Sequence, residues 1–156
     1  MLNVLIFAAA VVSPVPPSEQ PVAPYVQSNA NADATTFAGT GMWQAFHEQA
    51  GVNRIVDDFV DHNIADPVIG DIFAGQDIVR LRRVLKAQFC YILGGGCAYS
   101  GRDMKTAHKD LGVQAKDMNI LVANLQKAMA KENVPFFAQN RFLSKLAPMR
   151  HDIVTR

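Results

Sequence analysis

The stretch YSGRDMKTAHKDLGV, residues 99–113, places an imidazole where a helix would bury it. Met104, Ala107, His108 and Leu111 follow the i, i+3, i+4, i+7 spacing of one helical face, and the other three are apolar. A neutral imidazole has one donor and one acceptor nitrogen, and both need partners once water is excluded. Two chemistries meet that need. The commoner is a core histidine bonded to backbone, and the spacing taken alone favours it. The other is axial ligation of heme iron, which takes one imidazole from the protein while its apolar ring fills volume that short helices leave open. The remaining histidines, His47, His62 and His151, form no H-x-x-x-H or Cys/His zinc spacing, so a metal cage of protein ligands alone is not indicated.

The elements that must position His108 are legible as helices. Ser100 and Asp103, spaced S-x-x-D, predict a capping box that opens its segment, and Gly112 is placed to end it in a left-handed conformation. Upstream, Asp77 can cap a longer helix whose inner face holds Ile78, Leu81, Leu85, Gln88, Phe89 and Ile92, terminated by Gly94, Gly95 and Gly96. Before it, Val52, Ile55, Val56, Phe59 and Ile64 trace an apolar stripe to Asp66-Pro67, where the proline starts a short turn carrying Ile72 and Phe73. A short helix around MWQAFHEQ should end near Gly51. Downstream, residues 115–131 form a helix with Met118, Leu121, Val122, Leu125 and Met129 inward, closed by Asn133 and Pro135. The last helix starts near Phe136, turns Phe142, Leu143, Leu146 and Ile153 inward, and is kinked by Pro148. No alternating run bounded by hairpin turns occurs, so residues 41–156 read as one all-α domain without internal repeats.

Composition bounds the partners. With 156 residues, 49% hydrophobic and 19% charged, the chain supports one sizeable core. A net charge of +1 provides no electrostatic footprint for nucleic acid, and Arg80, Arg82 and Arg83, the densest basic spot, read as a solvated helix face. The apolar run of residues 2–12 is shorter than the roughly 20 residues of a transmembrane anchor. It is like the apolar core of a secretory signal but lacks a preceding basic residue, which leaves cytoplasmic and exported locations both open. Residues 13–40, with five prolines, read as a disordered linker. Cys90 and Cys97 would lie roughly 10 Å apart on a continuous helix, too far to bridge. The glycines between them would let Cys97 fold back, but two ordinary thiols are the default reading.

Taken in order, VDDFVDHNIADP, IFAG, LGGG, YSGRDM, AHKDLGV and LAPMRHDIV resemble the truncated hemoglobins of the first group over residues 42–154. The specific part is the block Tyr99, Gly101, Met104, His108 and Gly112. The resemblance implies a two-over-two helical sandwich around heme b, with His108 as proximal ligand and Phe73 packed on the heme plane. It also implies cofactor contacts from Leu81, Leu85, Met104 and Val113, with Arg80 and Arg83 as candidates for the propionates. Ala50-Gly51 stands where the family has two glycines. The implied ligand pocket comprises Phe59, Val60, Leu81, Leu85 and Gln88. Val60 occupies the place of a tyrosine that many members use to hold oxygen, and Leu81 and Leu85 fill the other two distal positions. With all three apolar, oxygen would lack a hydrogen bond worth about 1 kcal/mol, so its release should be fast and carbon monoxide relatively favoured. Gln88, two turns beyond Leu81, reads as a glutamine at the core boundary, and His62 points away from the Val60 side.

The implied function is reversible binding of a diatomic gas at a five-coordinate iron, in a monomer or weak homo-oligomer. Conversion of nitric oxide to nitrate, with a reductase as partner, is an enzymatic extension of the same site. A cofactor-free helical module that binds a partner helix is the alternative from another class. Electron transfer or peroxidase chemistry would need a second strong ligand or a distal acid-base group, and neither stands at the expected positions.

Overall fold

The computed structural model describes residues 15–155, so the signal-like segment of residues 2–12 lies outside the described residues. These fold into helices α1 (Gly41–Ala45), α2 (Glu48–Ala65), α3 (Ile78–Leu93), α4 (Met104–His108), α5 (Ala115–Lys131), α6 (Phe136–Leu146) and α7 (Arg150–Ile153), with no strand among them. Helix α2 packs against both α3 and α5. The core is knit where Phe142 of α6 meets Phe46 and Phe89 edge-on, with ring centroids 5.1 and 4.8 Å apart.

Local signals explain most boundaries. Asp77 caps α3 by accepting from the Arg80 N–H, and Gly94 ends it at φ 87°. Gly112 is left-handed, as its spacing predicts, and Ala147–Met149 form a 3-10 turn that interrupts the last helix at Pro148. Three expectations need correction. The break after α1 falls at His47 and Glu48, both at positive φ, and Gly51 lies inside α2. Gly51 is required for space: a Cβ there would stand 2.0 Å from the Phe46 carbonyl oxygen, while the neighbouring Ala50 is exposed. Ser100 takes no part in a capping box; Asp103 alone caps α4, through the Thr106 N–H. On α2, Ile64 is exposed and Asn63 occupies the buried position instead.

Cys90 and Cys97 form a disulfide with Cα atoms 5.7 Å apart, in place of two free thiols. The left-handed Gly94 and Gly96 return the chain on itself, which a continuous helix forbids.

Residues 15–40 lie against the domain and do not form a free linker. Ser28 caps a 3-10 turn at Asn29–Ala32, and Ala32 is fully buried. Asn29 accepts from the Tyr99 N–H at 2.9 Å and Asp33 from the Met104 N–H at 2.7 Å. The Glu19 carboxylate pairs with Arg83 and Arg80, and Gln20 N–H donates to Asp77 at 2.6 Å. Composition predicts no period here because these contacts run to partners more than 55 residues away.

Candidate heme pocket

Helix α4 is a little over one turn long, and its start is held from two sides by the Asp103 and Asp33 carboxylates. That fixes the Met104 carbonyl, which lies 2.8 Å from His108 Nδ1. A carbonyl only accepts, so Nδ1 carries the proton and Nε2 keeps its lone pair. Burial pushes the imidazole pKa down and so favours the neutral ring, partly offset by the hydrogen bond to the Met104 carbonyl. Among the described residues no donor reaches Nε2. One ring nitrogen therefore behaves as the backbone-bonded core histidine and the other is left for a ligand.

His108 lines a cavity of about 620 Å³, within the range of roughly 300–1,000 Å³ typical of small-molecule and cofactor sites. The structure brings Phe59, Val60, Phe73, Leu81, Leu85, Gln88, Met104 and Val113 into its wall with His108. Val60, Met104 and Val113 are buried; Leu81 and Leu85 are half-buried because they border this space. Gln88 is no boundary residue: it is 4% exposed and donates from Nε2 to the Ala32 carbonyl at 3.1 Å. His62 is exposed, with Nδ1 2.8 Å from the Asp58 carbonyl oxygen, and is not part of the wall.

The arginines separate. Arg80 borders the cavity and donates to the Tyr25 hydroxyl at 2.8 Å, whereas Arg83 lies off the wall, bonded to Glu19 and to Ser100 Oγ. The Arg83 hydrogen bond holds the Glu19 carboxyl below its usual range despite burial. Arg82 is tied to Asp57 and Asp61 across to α2, so the cluster is an ion-pair seam and not a freely solvated face. Tyr99, also in the wall, donates to the Arg102 carbonyl at 2.9 Å, and burial pushes its phenol pKa up. Only glycine fits at 101, since a Cβ there would meet the Tyr99 hydroxyl at 2.1 Å.

Sequence reasoning missed Asn63, and it missed Gln20, Pro21 and Val22, which reach the cavity from the N-terminal segment. Asn63 had a signal. It continues the series Val52, Val56, Phe59 at helical spacing, but polar residues do not enter an apolar stripe. The N-terminal residues had none.

Residues 42–155 match the family model described as bacterial-like globin. The chain is 34% identical over 114 residues to a group 1 truncated hemoglobin of Chlamydomonas moewusii, covering 69% of this chain and 67% of that protein. It is 27% identical over 101 residues to the group 1 truncated hemoglobin GlbN of Mycolicibacterium paratuberculosis, covering 65% and 74%. In three dimensions it is similar to truncated hemoglobin from Tetrahymena pyriformis in the Fe(III) form, with TM-score 0.70 and 19% identity over 74% of this chain and 98% of that one. A Synechococcus 2/2 hemoglobin, in the cyanomet state with covalently attached heme, gives TM-score 0.68 at 22% identity, over 74% and 98%. The all-helical architecture is that of the truncated 2/2 globins. The chain belongs to the bacterial-like globin family, with group 1 truncated hemoglobins as its relatives. Heme binding follows from that membership, and a histidine with its Nδ1 bonded, lining a mostly apolar cavity, fits the group.

Proposed function

We propose that the protein reversibly binds a small diatomic gas on heme b held by His108, with the position opposite His108 open in the ligand-free state. The observation that carries this reading is the tautomer of His108. The Met104 carbonyl takes the Nδ1 proton, and the Nε2 lone pair faces a cavity large enough for a cofactor. When bound, heme supplies an iron centre that coordinates the gas. The chain's own residues orient the imidazole, exclude water and shape the space. Phe73 and Leu81 offer apolar surface to the ring. Val60, Leu81 and Leu85 have no lone pair to offer a metal, which supports an open sixth position. Globin family membership disfavours the cofactor-free interaction module.

The test is the visible spectrum of the ferric, ferrous and carbonyl forms of wild type and His108→Gly. Wild type should bind hemin and carbon monoxide. His108→Gly should lose the ferrous five-coordinate spectrum and recover it with added imidazole. Unchanged spectra in His108→Gly would remove the histidine from the site.

A further inference from the structure

Asn63 is 1% exposed, yet its side chain borders the cavity. Its carboxamide oxygen accepts from Asn124 Nδ2 at 2.9 Å. The Asp66 Oδ1 oxygen is occupied by the Val68 and Ile69 N–H groups, at 2.9 and 3.2 Å. With Asn124 Nδ2 donating to it, Asn63 presents Oδ1 to α5, and its Nδ2 group is left over. Among the described residues no hydrogen bond leaves Nδ2, yet it is not one of the side-chain atoms sealed away without a partner, and Asn63 borders the cavity. A donor so placed is free for a ligand or an ordered water.

The position matters as much as the chemistry. Asn63 follows Val60 by three residues and Phe59 by four, one turn along the same face of α2, and all three border the cavity. We propose that Asn63 is the polar contact of this pocket, donating its Nδ2–H to a small hydrogen-bond-accepting ligand held there. This rests on the gas-binding reading and sharpens it: the pocket discriminates among gases by hydrogen-bond acceptance. Oxygen, the better acceptor when polarised, gains more than carbon monoxide, so the loss of a hydroxyl at Val60 is partly made good from the next turn.

The test uses the heme-loaded full chain. Asn63→Leu keeps the volume and removes the donor; Asn63→Ala is the second variant, adding no bulk should leucine fail to fold. Oxygen dissociation, followed by stopped flow, should quicken about 5-fold, the factor carried by one hydrogen bond of ordinary net strength. Carbon monoxide dissociation should change by less than about 2-fold, because that ligand accepts weakly. The C–O stretching band of the carbonyl complex should move to higher frequency in both variants. Identical oxygen rates and an unmoved band in a properly coloured variant overturn the Asn63 assignment alone. A wild type that takes up no hemin overturns the gas-binding reading and this proposal with it.

Discussion

The wall of the cavity and the N-terminal segment packed beside it are built on opposite principles. Around Val60, Leu81 and Leu85 the wall is apolar, and two of its polar atoms, His108 Nε2 and Asn63 Nδ2, make no hydrogen bond among the described residues. Along the N-terminal segment the charges are already paired: Glu19 with Arg83 and Arg80, Asp77 with the Gln20 N–H, and Arg80 with the Tyr25 hydroxyl. Polar groups left over in the wall can be completed by a ligand or ordered water, whereas the N-terminal segment is satisfied by the chain itself. The proposed ligand chemistry belongs to the first region, and retention of the N-terminal segment to the second.

Four experiments test that contrast. The largest effect is expected from Val60→Tyr, which puts a hydroxyl into the apolar wall; oxygen release should slow by about 10-fold or more, read by stopped flow. A rate within about 2-fold of wild type would mean that the wall is already polar in function. Next, Arg80→Ala should speed heme transfer to an acceptor globin a few-fold, roughly the worth of a partly solvated ion pair. Arg83→Ala, which lies off the wall, should leave it unchanged. Equal effects would place both guanidinium groups at the cofactor.

The third concerns the strap. Glu19→Gln should cost about 1 kcal/mol of stability in urea unfolding, discounted for the solvent around Arg83. Because the Glu19 pKa is lowered below 4.5, that contribution is present above 4.5 and is lost as pH falls through the folded value. The mutant should therefore differ from wild type at neutral pH and converge with it in acid. The smallest effect concerns the heme-free protein. His108 is half-buried, and desolvation holds its pKa below 6.5, so the unfolded state binds more protons there, and stability falls as pH drops below 6.5. His108→Gln should flatten that slope in thermal melts between neutral and mildly acid pH.

Helix existence was legible because it depends on local spacing. The Asp77 cap, the Gly94 and Gly112 stops and the inner faces of α3 and α5 follow from periodicity and backbone preference alone. The same logic misplaced Ile64 and passed over Asn63, since an apolar count ranks isoleucine inward and asparagine outward. It also put the α1–α2 break at Gly51. The glycine is needed there for contact with Phe46, and the left-handed residues are His47 and Glu48, whose types carry no such signal.

What the chain order determined by itself was the helical frame and the imidazole at an apolar spacing, both consequences of neighbours within a few residues; the assignment of Val60, Leu81 and Leu85 to one pocket came from the family resemblance. Tertiary structure decided which His108 nitrogen is free, because that depends on the Met104 carbonyl being fixed by Asp33 from 71 residues away. It likewise decided that Cys90 meets Cys97, that residues 15–40 cover the domain, and that the Asn63 donor is left over, because hydrogen-bond partners are chosen by distance in space.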